Sequence, residues 1–319
     1  MYFGVVHIKR KVVKHGPSTL IISLPSDWVK KNNISPGNEL NVVEKGKEIV
    51  ISPVGISEPP LEAEIDVSSL DRSSILFYIR SFYRKGYQKI KVNFENPVTI
   101  YYRNGKQVNV LSTIHKEVNN LIGVEITQQG HNYCLIQDLS SETGTEFEGV
   151  LKRLFVLFLE SLKDMAEDME KNDFPSLSTI EEKHDTITKF ANYCLRILNR
   201  KKYKNEKEVP FLYHTVLELD VMIDLVKYFC RMVIDNRQRF GKKGLELVFS
   251  LSEIFDICKG IYYDFDLKKV NEFQKKRMEW KNNLSKLMKS SKDEAFYLDY
   301  LSPLLEHFRD MIETKMCFF

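Results

Sequence analysis

From Lys9 to Pro53 the order of residues leaves little choice of local structure. A strand with basic residues at alternate positions, Lys9 and Lys11, meets a turn at His15-Gly16-Pro17. The next strand, Thr19 to Leu24, sets Leu20, Ile22 and Leu24 on one face against Thr19, Ile21 and Ser23 on the other. Pro25 closes it, and Ser26 is placed to cap a short helix through Asn32 by accepting a backbone N–H bond. Ser35-Pro36-Gly37 then turns the chain into a hairpin, Leu40–Val43 against Glu48–Ser52, joined at Lys45-Gly46-Lys47.

The rest of the chain bounds what this module serves. At 319 residues there is room for two or three domains with good cores. A composition of 43% hydrophobic and 29% charged residues is that of an ordinary folded protein. The net charge is only +3, so nucleic-acid contact needs a local concentration of charge. One exists in the first 40 residues, where Lys9, Arg10, Lys11, Lys14, Lys30 and Lys31 outnumber Asp27 and Glu39. It reads either as a solvated face or as a surface that tracks phosphates. Cys134, Cys194, Cys230, Cys258 and Cys317 are widely spaced without a CxxC pair, which argues against a zinc finger or a disulfide framework and for small, reduced core residues. Met1-Tyr2-Phe3-Gly4 opens no signal-peptide pattern, and the longest clean apolar run, Leu154–Leu159, is too short to span a bilayer. A cytoplasmic protein without membrane insertion is expected.

Three segments follow from the punctuation. Ser52-Pro53-Val54-Gly55 to Glu58-Pro59-Pro60 ends the first, at residues 1–55. Residues 60–140 then read as a small α/β domain in the order β-α-β-α-β-β. Its elements are a strand with Leu61, Ala63, Ile65 and Val67 on one face, a helix Ser68–Arg84 with Leu70, Ser74, Phe77 and Phe82 among its buried candidates, and a strand Lys89–Phe94. A helix Val108–Leu121 and a hairpin Gly123–Gln128/Tyr133–Asp138 complete it. It has no glycine-rich phosphate loop, and His115 is a lone helical histidine on the surface or at a cap. Residues 144–319 carry helical periods only. One apolar stripe runs Phe147, Leu151, Leu154, Phe158, Leu162, Met165 and Met169. Helices over about 178–201, 209–239, 245–263, 267–289 and 293–316 follow, and six in a row suggest paired three-helix bundles.

Acidic residues recur at a spacing of four on these helices: Glu181/Asp185, Asp220/Asp224 and Glu306/Asp310. Residues i and i+4 stack on one helix face, so each pair can present two oxygens to one cation. A half-buried carboxylate pair needs a cation, a basic partner or a proton. Spacing alone leaves other readings open. Ser178-x-x-Glu181 is a capping-box signature, Asp220 and Asp224 could face water, and Glu306 with Arg309 reads as a surface ion pair.

Two resemblances sharpen these readings. The N-terminal pieces Ile21-Ile22-Ser23-Leu24-Pro25 and Ser35-Pro36-Gly37-Asn38, in that order before a hairpin, resemble the AbrB-like (SpoVT/AbrB, swapped-hairpin) DNA-binding domain. The resemblance implies a small swapped-hairpin β-barrel, and a half-barrel of about 50 residues buries too little to stand alone, so a homodimer is expected. Arg10, Lys11, Lys14, Lys30 and Lys31 would contact phosphates, with His15, Ser18 and Thr19 beside them near bases. The last 175 or so residues look like the phosphate-uptake regulator (PhoU) family of two homologous three-helix bundles. Its E/D-x-x-x-D motif, repeated on two helices of each bundle and binding clustered metal ions, is matched by Glu181–Asp185, Asp220–Asp224 and Glu306–Asp310. The remaining motif is broken, because Glu272 is followed four residues later by Lys276. Gly86-Tyr87, Leu121–Ile126 and Ile136-Gln137-Asp138 resemble the connecting region of archaeal PhoU-like proteins, which join an AbrB-like domain to a PhoU-like one.

The expected protein is therefore multidomain α+β: a swapped-hairpin β-barrel, a small α/β domain and an all-α PhoU-like pair of bundles. Its expected role is that of a dimeric regulator binding promoter DNA and coupling phosphate status to transport. The alternative is an adaptor restraining a phosphate transporter or signalling partner by protein contact, with the N-terminal barrel serving only to dimerise. Oxygen ligands at Glu181, Asp185, Asp220, Asp224, Glu306 and Asp310 point to Mg, Ca, Mn or Fe, with Zn also open. No serine, cysteine or histidine constellation supports a nucleophile; His214 and His307 read as isolated neighbours of acidic residues, so no enzyme is expected.

Overall fold

Contacts divide the chain at Pro59/Pro60, inside the proline-rich boundary, into two units that are described separately. The computed structural model describes residues 8–54, 60–140, 144–200, 203 and 205–318. Met1-Tyr2-Phe3-Gly4, the linker residues 55–59 and the expected helix end at residue 201 lie outside them.

In the first unit β1 (Val13–His15) pairs antiparallel with β2 (Thr19–Ile21), with His15 opposite Thr19 across the turn at Gly16, whose φ is +74°. Helix α1 (Ser26–Lys31) begins after Pro25, which occupies the N-cap position. The expected Ser26 cap does not form: Ser26 already lies inside the first turn and no side chain caps the helix, whose first hydrogen bond runs from Val29 N–H to the Pro25 carbonyl at 3.0 Å. The turn at Ser35–Asn38 is closed by the Asn38 side chain accepting from Ser35 N–H at 2.7 Å. It leads into β3 (Leu40–Lys45) and β4 (Glu48–Pro53), paired through Lys45 opposite Glu48. Among the described residues of one chain these are two separate two-stranded sheets and not a closed barrel. Strands of three residues are too short to bridge the hairpins by themselves.

The second unit opens with β5 (Glu62–Asp66), whose alternate residues Ala63 and Ile65 face inward. Helix α2 (Arg72–Lys85) starts two residues after Leu70 because Asp71 accepts from Ser73 and Ser74 N–H at 3.0 and 3.1 Å. Its buried face is Ile75, Ile79 and Tyr83; Phe77, expected inside, points outward and is 62% exposed. Strand β6 (Lys89–Asn93) runs parallel to β5. A hairpin absent from the sequence reading follows, β7 (Val98–Tyr101) and β8 (Lys106–Asn109), turning at Asn104-Gly105. It takes the residues first assigned to the start of the next helix, so α3 is Val110–Asn119, capped by Asn109. The hairpin β9 (Val124–Gln129) and β10 (Tyr133–Asp138) completes a four-stranded sheet of order β5-β6-β10-β9, with α2 and α3 sharing its core.

Eight helices follow among the described residues. Helix α4 (Phe147–Lys171) ends at Asn172, whose φ of +52° supplies a left-handed cap; the single-turn α5 (Phe174–Leu177) is capped by Asp173. Next come α6 (Ile180–Asn199), α7 (Val209–Asp235), α8 (Lys242–Tyr263) and α9 (Leu267–Ser290). The last expected helix is two, α10 (Lys292–Asp299) and α11 (Ser302–Met316), because Pro303 starts a helix more readily than it continues one. Helices α4, α6 and α7 pack together, as do α8, α9 and α11 with α10 beside them, and α4 on α8 and α7 on α11 join the two sets. Phe158, Phe255 and Phe308 meet at that joint, with ring centroids 4.6 and 5.2 Å apart in sequence. No helix is long and apolar enough to cross a membrane among the described residues. Cys134, Cys194, Cys230 and Cys258 are buried as expected, whereas Cys317, at the end of α11, is exposed.

An ionic lock fixes the α/β part against the helices. Arg196 on α6 is fully buried and donates to the Tyr83 and Tyr87 carbonyls at 2.8 and 3.0 Å and to Asp138 at 2.6 Å. Asp138 also accepts from Arg200 at 2.8 Å. Burial pushes its carboxyl up, but Ser140 and Arg196 outweigh that and hold it below its ordinary value. Gly86, at φ +93°, lets α2 end directly against the Arg200 side chain.

Candidate functional site

On the first unit, the residues singled out for nucleic acid all lie at the surface. Arg10 and Lys11 precede β1, Lys14 and His15 end it, Ser18 is in the turn, Thr19 opens β2, and Lys30 and Lys31 close α1. The hairpin pairing puts Lys14 opposite Leu20 and His15 opposite Thr19, so the polar candidates gather at the turn end of the hairpin. The same unit has no buried residue among those described from 8 to 54. Leu20 and Ile49 are each 68% exposed and Val42 63%, a degree of apolar exposure that single folded domains avoid.

In the second unit the carboxylates of α6 and α7 converge on a cleft faced by α2 and α3. Glu181, Asp185, Asp220 and Asp224 all line it. Each meets a basic or imidazole side chain. Arg231 donates its Nε and Nη2 to Glu181 as a two-pronged pair. Asp220 accepts from Thr188 at 2.8 Å and from Arg84 of α2 at 3.1 Å. Asp224 is paired with Lys227 and lies 3.0 Å from His184 Nε2, and Asp185 lies 2.9 Å from His184 Nδ1. Burial pushes Asp224 up, yet the hydrogen bonds from His184 and Lys227 prevail and hold its carboxyl at about 2. Glu181 is likewise lowered, with Arg231 overcoming its burial. Arg80 of α2 forks onto Glu117 of α3 at 2.8 and 3.0 Å, along the same cleft. The expected capping box is not made, since the Glu181 side chain turns to Arg231 and away from Ser178.

Glu306 and Asp310 sit apart from this cleft, on α11. Glu306 is held by Lys281 and by Arg277 at 2.5 Å, both from α9, and by Arg309 at 2.8 Å; the Lys281 bond first, then Arg277, brings its carboxyl down to about 2 against burial. Asp310 accepts from Arg309 at 2.8 Å. Lys276, in the broken motif, reaches Glu253 at 3.5 Å. His214 and His307 are not isolated: both approach Glu218, at 3.4 and 2.6 Å, and the His307 pair ties α11 to α7.

A cluster of divalent cations needs several oxygens converging without competing positive charge. All six candidate carboxylates already face protein cations or an imidazole, and no group of three or more His, Cys, Asp or Glu converges as a ligand set among the described residues. As arranged, these residues do not fit such a cluster.

The cations were the part that sequence reasoning missed, although a signal existed. Arg72, Arg80 and Arg84 fall at multiples of four along α2, and Lys227 and Arg231 continue the Asp220/Asp224 row on α7. One face of basic residues thus meets one face of acidic ones.

Comparison with known proteins bears on the first unit. No curated protein and no solved structure matches the chain. The family described as antidote-toxin recognition MazE, bacterial antitoxin, matches residues 13–58, the segment from β1 through the β3–β4 hairpin, and supports an AbrB-like domain there.

Proposed function

We propose that the chain is a homodimeric DNA-binding regulator whose output is the first unit and whose Pro60–Phe319 unit senses or relays a signal. The observation behind it is the apolar exposure of a unit that buries nothing among its described residues. Leu20, Val42 and Ile49 need a cover, and a second copy supplies one of matching shape. Two copies also double the set of surface cations Arg10, Lys11, Lys14, Lys30 and Lys31, which suits a roughly two-fold DNA site. The match of residues 13–58 supports this reading. The finer part of the proposal, that the regulated process is phosphate uptake, rests on the resemblance of the helical half to PhoU.

The test is a titration of promoter DNA at several salt concentrations, with light scattering to follow the dimer. The expected result is salt-dependent binding, and an Arg10→Ala/Lys11→Ala double variant that stays dimeric while the salt slope drops by about 2. Absence of a complex at low salt sinks the DNA reading.

A further inference from the structure

The cleft between α2, α3, α6 and α7 has a volume of about 360 Å³. That falls at the small end of the range for small-molecule pockets, and junctions between structural modules are where such pockets concentrate. Its acidic side is largely matched, with Asp185 meeting the His184 imidazole at 2.9 Å. Arg84 serves Asp220, Lys227 serves Asp224, Arg231 serves Glu181, and Arg80 serves Glu117.

Its basic side is not. Arg72, at the first position of α2, lines the cleft with its guanidinium 4.4 Å over the Tyr101 ring and has no carboxylate partner among the described residues. Lys116 on α3 lines the same cleft and likewise has no ionic partner among them. Arg231, by contrast, is committed to Glu181 through Nε and Nη2. Unpaired guanidinium and ammonium groups around one cavity favour an anion, and an arginine fork fits phosphate oxygens in particular. Tyr228, also at the cleft, packs against Lys227 and Arg231, 4.5 and 5.4 Å from its ring centre.

We propose that this cleft binds a small phosphate-bearing compound, its phosphate facing Arg72 and Lys116. The chemistry is shared by free phosphate and by a phosphate monoester, and the site stands whether or not the first unit binds DNA.

Isothermal titration of the full chain without DNA, using inorganic phosphate, AMP and adenosine in turn, tests it. The expected result is saturable binding of phosphate or AMP and none of adenosine. Binding of inorganic phosphate assigns the free ion, and binding of AMP alone assigns an ester. Arg72→Gln/Lys116→Gln removes two side chains that have no ionic partner, so the melting temperature is retained while affinity falls about tenfold or more. Arg72→Lys, which keeps the charge and loses the fork, is expected to weaken binding by a smaller factor. The proposal is overturned by absence of saturable binding with phosphate and AMP. It is equally overturned if the double variant binds as before, or if binding is lost only in Arg10→Ala/Lys11→Ala, which would place the anion on the first unit.

Discussion

Asp224 stands at the centre of a row of charge on α7, one turn after Asp220 and one turn before Lys227, with His184 reaching it from α6. Its carboxyl is held at about 2, below the ordinary carboxylate range near 4. A depressed folded value means that the ionised pair contributes stability above the unfolded pKa, and that this contribution is lost as pH falls through the folded one. Glu306, also held at about 2 by Lys281 and Arg277, acts in the same window and direction. The urea midpoint is therefore expected to fall as the pH drops from about 4 towards 2, and to fall less steeply in Asp224→Asn and Glu306→Gln. Parallel pH profiles in wild type and both variants would show that these pairs do not contribute. The acids of this row were legible in the sequence because a repeat of four among aspartates stands out. Their partners were not. Arg84 is 136 residues away from Asp220, and only the packing of α2 on α6 brings the two together.

Whole elements were legible where their periodicity was long and hidden where a turn did the work. The stripe from Phe147 to Met169 gave α4 almost to the residue, because a helix of seven turns repeats its apolar pattern many times. The β7–β8 hairpin occupies twelve residues and rests on Asn104-Gly105, a turn signal that the helical reading of Val108–Leu121 overran. The same reading placed Phe77 inside α2, but the face that packs is Ile75, Ile79 and Tyr83, set by the sheet beneath and by Arg196. The end of α2 is where that docking is most exposed to test. A Cβ on Gly86 would come within 2.6 Å of Arg200 Cγ, and its φ of +93° disfavours any L side chain. Gly86→Ala is expected to cost about 1–3 kcal/mol in chemical denaturation. Gly149, within α4, has nothing within 4 Å of an added Cβ, so Gly149→Ala is expected to stabilise by about 0.5–1 kcal/mol. Equal effects at the two positions would remove the docking argument.

For the molecule as a whole, the division at Pro59/Pro60 separates two kinds of stability. The second unit has its own apolar cores, one beneath the α2–α3 face of the sheet and one running through all the longer helices. Its folding is expected to be independent of protein concentration. The first unit, with no buried residue among those described, has to draw its apolar burial from a second copy, so its folding and its association are one equilibrium. Mass action then fixes the sign and the size of the effect. A tenfold rise in protein concentration stabilises a dimer by about 1.4 kcal/mol, which for a paired domain of about 100 residues raises its midpoint by about 5–8 °C. Calorimetry of the full chain at two concentrations is expected to show two transitions, of which only the smaller moves. Val42→Asp together with Ile49→Asp, placed on the exposed apolar strands β3 and β4, is expected to abolish the smaller transition and the dimer while leaving the larger one in place. A single transition at the same temperature at both concentrations would mean that the first unit is stabilised by other means than a second copy, and would remove the physical basis for a dimeric DNA-binding surface.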